Sequence, residues 1–173
     1  MFIISNGEIG PAAGALGAAK GLPGLYTGGW MAKDYLTEYG PMPQFKAAFG
    51  VVEHPSSKWA EVMEQNIIDS DGTVRICVDF LEQKQVALLC EKHNKPYFDV
   101  KFDYVSGAWS YQTPTLQVAK WIIKSNIQVL NVTGNSNKSV PVLPDTKTIG
   151  EMAEWYLKNV FTRYLELKGI KNI

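Results

Sequence analysis

Residues 2–21 read FIISNGEIGPAAGALGAAKG. Phe2-Ile3-Ile4-Ser5 is a short apolar run, the pattern of a buried strand. Asn6-Gly7-Glu8-Ile9-Gly10-Pro11 is a turn. The small residues from about Pro11 to Lys20 then make a helix, with Gly21 as its stop signal. Gly10, Gly14, Gly17 and Gly21 are spaced by four, three and four, so they share one helix face. A glycine in a helix interior costs about 1 kcal/mol relative to alanine. Close approach of that face to a sheet or a ligand is the expected compensation. A strand feeding a helix through a glycine turn opens a parallel βαβ unit.

The same alternation continues along the chain. Leu25-Tyr26-Thr27 predicts a second strand, running into Gly28-Gly29-Trp30. An irregular stretch with Pro41 and Pro43 extends to about Gly50, a length that marks a functional or mobile loop, and Val51-Val52-Glu53 is a short strand. Ser56 or Ser57 can cap a helix whose stripe is Trp59, Val62, Met63, Asn66 and Ile67. After the turn Asp69-Ser70-Asp71-Gly72, Thr73 to Phe80 reads as a strand. Glu82 to Asn94 reads as a helix, ended by Pro96, and Tyr97 to Phe102 as the next strand. Thr113-Pro114 caps and opens a helix to about Ser125. Ile127 to Val132 is the last strand. Thr148-Ile149-Gly150-Glu151 fits a capping box, and a helix follows to about Lys168 with Met152, Tyr156, Val160 and Tyr164 on one face. The pattern predicts an α/β, Rossmann-like fold over residues 1–173: a single domain with a parallel sheet and helices on both faces.

Lysine plus arginine balance aspartate plus glutamate at 17 each, so the broad basic footprint of a duplex nucleic-acid binder is missing. No apolar run reaches the roughly 20 residues needed to span a bilayer, and residues 1–5 are too few for a signal peptide's apolar region. Cys77 and Cys90 form no CxxC pair and read as buried free thiols. Together these features predict a cytoplasmic protein that binds neither nucleic acid nor membrane. There is no metal-ligand spacing and no GxSxG elbow, so no metal site is expected.

Open parallel sheets bind ligands beyond the carboxyl ends of their strands. Four segments rich in Gly, Ser, Thr and Asn are therefore the candidate ligand contacts. Asn6 and Gly7 lie in the first turn, where amides and a helix dipole can face an anion, although Glu8 counts against a phosphate there. Thr27, Gly28, Gly29 and Trp30 offer close backbone approach and a ring for stacking. Asn66 needs hydrogen-bond partners on its apolar stripe. Asp71 could orient a ligand, and Asp69 or Asp71 could act as acid or base; the same residues also make an ordinary turn. Thr133, Gly134, Ser136 and Lys138 gather hydroxyls and an ammonium after the last strand, the best anion cradle in the chain. His93 reads as a structural residue, and His54 is a weak candidate.

Thr27-Gly28-Gly29-Trp30, Lys33, Gly40-Pro41-Met42-Pro43, Glu53, Pro55 and Ser56 resemble the molybdenum-carrier proteins, as does the block Asn66-Ile67-Ile68-Asp69-Ser70-Asp71-Gly72-Thr73. Leu130-Asn131-Val132-Thr133-Gly134, with Ser136 and Lys138, is similar to that family's late glycine loop. The family belongs to the SMF/DprA–LOG (SLOG) superfamily of Rossmann-like domains. The resemblance covers most of the chain. It implies that fold and a nucleotide-like or pterin-type ligand, including the molybdenum cofactor. The sequence departs from the family at two loops: Asn6–Pro11 lacks the family's glycine–glutamine–threonine pattern, and Leu81-Glu82-Gln83-Lys84-Gln85 replaces a glycine–glycine–threonine loop. Residues 103–112, including Trp109 and Tyr111, have no counterpart and are expected to cover a remodelled pocket.

Three functions follow. The first is a binding protein for a small anionic molecule, a nucleotide, nucleotide-derived signal or pterin-type cofactor. The second is a nucleotide N-glycosidic hydrolase like the LOG-type phosphoribohydrolases, using Asp69 or Asp71. The third is an oligomeric scaffold with a decayed pocket. A homo-oligomer, dimer or higher, is expected, with Tyr35, Tyr39 and Phe45 at the interface.

Overall fold

The computed structural model describes residues 1–171. Its elements are β1 (Phe2–Ile4), α1 (Pro11–Ala19), β2 (Tyr26–Gly28), β3 (Trp30–Met31), β4 (Leu36–Thr37), β5 (Gly40–Pro41), α2 (Gln44–Phe49) and β6 (Val52–Glu53). There follow α3 (Trp59–Asp69), β7 (Gly72–Cys77), α4 (Lys84–Lys92), β8 (Tyr97–Val105), β9 (Ala108–Tyr111), α5 (Thr115–Lys124), β10 (Val129–Gly134) and α6 (Ile149–Leu167). One six-stranded sheet has the order β2-β1-β10-β7-β8-β9 and is parallel except for its last pair. Helices α1, α5 and α6 pack on one face, α3 and α4 on the other. This is the Rossmann-like α/β fold that the alternation of strands and helices predicts.

The two faces of the sheet differ in chemistry. Leu130 and Val132, Val74 and Ile76, and Val100 and Phe102 enter the main core with α1, α5 and α6. Their sequence neighbours point the other way, and Asn131, Thr133, Thr73 and Arg75 are buried there too. Arg75 donates from Nε and Nη2 to Asp99 at 2.7 and 2.6 Å and from Nη1 to the Gln83 carbonyl at 2.8 Å. Its guanidinium lies over the Phe80 and Tyr97 rings. Thr133 Oγ1 pairs with Gln83 Oε1 at 3.3 Å. The face under α4 is thus held by a polar layer.

The glycine face of α1 is explained by helix packing. A Cβ on Gly14 would stand 2.7 Å from the Gly150 carbonyl of α6, and one on Gly10 would stand 2.7 Å from the Asn135 carbonyl. Helix ends follow the sequence unevenly. The Thr148–Glu151 capping box forms, and Pro11 opens α1. Neither Ser56 nor Ser57 caps α3, and Thr113 does not cap α5. Instead the Thr113 carbonyl accepts the Tyr156 hydroxyl.

The irregular stretch is more ordered than its sequence suggests. β3 pairs with β6 outside the main sheet, and β4 and β5 form a short antiparallel arm. Tyr35 and Phe45 pack against Leu16, Met31 and Val51, so they serve the chain's own interior; only Tyr39 of the expected interface trio is exposed. Residues 103–112 complete a hairpin. Ser106 and Gly107 have φ of 51° and 84°, the two left-handed positions of a type I′ turn. Trp109 and Tyr111 both pack on Phe102, and Tyr111 also meets Tyr156 of α6, so they cover the core and not a pocket.

Candidate functional site

The chain leaves β1 toward β2 on one side, through α1 on one face, and leaves β7 toward β8 on the other, through α4 on the opposite face. A crevice opens beyond the carboxyl ends of strands where such windings part. Here the loops after β1, β10 and β7 meet the β4–β5 arm and the start of α3. A pocket of about 190 Å³ lies between Glu8, Leu36, Glu38, Trp59 and Val62. A second, more polar space of about 390 Å³ shares Glu8 and Trp59 with it and reaches Glu82, Gln83, Ser136 and Ser139.

Two carboxyl groups define the chemistry. Glu8 comes from the loop after β1 and Glu38 from the arm. Trp59 Nε1 donates to Glu8 Oε2 at 3.4 Å, and the Ile9 amide donates to Glu38 Oε2 at 3.4 Å. Glu38 Oε1 is shielded from solvent and has no donor. Burial, and then the charge and hydrogen bonding of Glu38, push the Glu8 carboxyl up to about 7, against the opposing pull of Trp59 and Asn6. Two carboxylates in contact do not both ionise readily.

No lysine or arginine lines either space. Lys138 stands at the rim, donating from Nζ to the Glu38 carbonyl at 2.7 Å, over the Tyr39 ring. The amides of the first loop are already taken: Gly7 by Ser5 Oγ at 3.2 Å, Glu8 by Asn6 Oδ1 at 3.1 Å, and Ile9 by Glu38. Among the described residues, no group of three or more His, Cys, Asp or Glu side chains could hold a metal. Both cysteines are free and buried, and burial pushes the Cys77 thiol up to about 12.

The sequence profile of the circularly permutated YpsA SLOG family matches residues 3–160. The chain belongs to this family. A crystal structure from Syntrophus aciditrophicus SB, that of a "Putative molybdenum carrier protein", superposes with a TM-score of 0.69 at 26% identity, covering 95% of this chain and 94% of that one. No curated protein matches. Among the described residues, no helix is long and apolar enough to cross a membrane.

In this member of the circularly permutated YpsA SLOG family, the candidate residues read from sequence fall into separate groups. Asn6 and Ser136 line the crevice, and Lys138 sits at its rim. Gly7 belongs to the same loop, at a φ of 71°. Thr133 and Gly134 lie beneath: Thr133 is fully buried, and a Cβ on Gly134 would collide with the Ile76 carbonyl. Asn135 clamps the loop after β7, accepting from the Val78 and Asp79 amides at 2.7 and 3.0 Å.

The remaining candidates lie elsewhere. Asn66 grips the Trp30 backbone, accepting from its amide and donating to its carbonyl, each at 2.9 Å. Thr27 Oγ1 donates to the Phe49 carbonyl. Gly28 lies in the edge strand β2, and Gly29 packs on the Ser5 backbone. Trp30 donates from its indole to Asp69 at 2.7 Å and lines a different, apolar groove with Phe2, Ile4 and Val52. Asp69 and Asp71 precede β7 and so stand at the amino end of the sheet, away from the crevice. Asp71 accepts the amides of Gln128 and Val129 at 2.9 and 2.8 Å. His93 pairs with Glu64 at 2.7 Å between α4 and α3, and His54 Nδ1 accepts the Ser56 amide. Glu38 was hidden from sequence reading because only the tertiary fold brings the arm to Glu8. Trp59 was hidden because its helical spacing reads as core.

Proposed function

We propose that this protein is a small-molecule binding protein whose site is the crevice beyond β1, β10 and β7. The apolar part of the ligand lies against Trp59, Leu36 and Val62, and its polar part faces Glu8, Glu38 and the Ser136–Ser139 loop. The observation that carries this reading is the pair of facing carboxyls walled by an indole, at the place where open α/β sheets take ligands.

The named activity of the crystallographic neighbour, molybdenum carriage, suggests a pterin-type cofactor, and the sequence resemblance suggests a nucleotide. The lining suits the ring of either one: flat against Trp59, with N–H groups toward the carboxyls. It does not suit a phosphate or bare molybdate, because every ionisable group lining the two spaces is an acid. The ligand is therefore recognised through its ring, and any anionic tail extends toward Lys138 at the rim. The two free buried thiols suit a reducing, cytoplasmic setting. Self-association, if it uses apolar surface, falls to the exposed Phe2–Tyr26 pair beside the free edge of β2, and a monomer by light scattering removes it.

The test is a thermal-shift and calorimetric panel of pterins, nucleosides and nucleotides on the wild type, Trp59→Ala and Trp30→Phe. A ligand at about 100 times its Kd stabilises the fold by about 2.7 kcal/mol. That gain is expected to disappear in Trp59→Ala and persist in Trp30→Phe. Loss in Trp30→Phe alone would move the site to the other groove, and no response to any compound would end the proposal.

A further inference from the structure

Resting on the crevice assigned above, we infer that Glu8 and Glu38 together recognise a planar N–C–N unit carrying two parallel N–H donors, held flat against Trp59. Guanidines, amidines, guanine and pterin rings share this edge.

Three observations carry it. The two carboxyls approach from separate segments and meet no basic side chain in the pocket; Lys138 at the rim is engaged by the Glu38 carbonyl and the Tyr39 ring. Glu38 Oε1 is buried and lacks a donor. Trp59 borders both spaces, so a ring on it can enter the smaller one while its substituent lies in the larger. Carboxylates bind such forks through paired, charge-assisted hydrogen bonds, which fix the plane of the ligand as well as its position. Other occupants fit less well. A phosphate would meet like charge, a metal ion would find only two carboxylates, and a lone ammonium has no plane to match the indole.

The exchange balances. Below about pH 7 the Glu8 carboxyl carries a proton; the ligand's two N–H groups take its place on the carboxyl oxygens, and the proton leaves to solvent. The groups facing Glu8 are Glu38 from the arm, Trp59 from α3 and Asn6 from its own loop, with Glu82 across the larger space and Lys138 behind Glu38. Because Glu8 titrates at about 7, affinity should rise about tenfold per pH unit up to that point and level off above it.

The experiment is isothermal titration of pterin, guanosine and benzamidine, against lumazine and inosine, which lack the amino donor. Runs at pH 6 and pH 8 in two buffers of different ionisation heat count protons. Pterin or guanosine is expected to bind at least tenfold more tightly than lumazine or inosine and to release one proton at pH 6. The compound that binds best names the source of the edge. Glu8→Gln should lose both the preference and the proton release. Glu38→Gln, on the outlying arm, should do the same, which guards against a folding defect in the first variant. Equal binding of lumazine and inosine, or no proton release, overturns the inference, while the crevice stands if that binding still needs Trp59. If none of the five binds, the inference is overturned, and the crevice proposal then rests on whether any other compound requires Trp59.

Discussion

Glu8 gives the sharpest prediction for a single side chain. Its carboxyl rises from an ordinary 4.5 to about 7 in the folded protein, so the native state holds the proton more tightly than the unfolded chain. The resulting stability is fully present below pH 4.5 and is lost as pH rises through 7. Each tenfold difference in proton affinity between the two states is worth about 1.4 kcal/mol, so wild type should lose up to roughly 3 kcal/mol relative to Glu8→Gln between pH 4.5 and 8. Urea melts of both proteins at several pH values measure this; parallel curves would contradict it. Asn66→Ala leaves the Trp30 amide and carbonyl without their partners and should cost about 1–3 kcal/mol in the same assay. The presence of an acid, Glu8, in the first turn was legible in the sequence. So was the need of Asn66 for partners, although those partners are backbone. The place of Asp69 and Asp71 was half legible, since a turn that precedes a strand must lie at that strand's amino end.

The α1–α6 contact separates two glycines that look alike in the sequence. At Gly14 a Cβ would meet a backbone carbonyl at 2.7 Å, whereas at Gly17 it would meet the end of the Glu154 side chain at 2.8 Å. Gly14→Ala should therefore destabilise by about 1–3 kcal/mol, because the helices must part. Gly17→Ala should be neutral or gain up to about 1 kcal/mol from helix propensity, because Glu154 can swing aside. Thermal melts should show a clear loss for Gly14→Ala and no loss for Gly17→Ala. The elements themselves were largely readable, because their apolar runs and glycine stops are local signals. The first part of β8 was read, but its extension to Val105 and the return strand β9 were missed, because β9 is four residues long and buries none of them fully. The strand at Val52-Glu53 was read, whereas its partner β3 and the β4–β5 pair were missed, because two-residue strands leave no period to detect.

The whole molecule is two unlike halves on one sheet. The side holding α1, α5 and α6 is a continuous apolar core. The side under α3 and α4 combines a small apolar cluster with the Arg75, Asn131 and Thr133 layer, and the arm lies outside both. Buried apolar contacts set local stability. Amide exchange should therefore be slowest in β7, β10 and α6, and fastest in β4, β5 and α2. Uniform protection across all of them would show a single cooperative unit instead.

Among the described residues, the Ile9 amide has one acceptor, an oxygen of Glu38. Asp34 and Tyr35 at the base of the arm hold φ of 60° and 52°, conformations that non-glycine residues rarely keep without support from their surroundings. Each excursion of the arm releases that one amide to water. Its protection against exchange therefore reports the fraction of time the arm stands open, readable by NMR in the free protein.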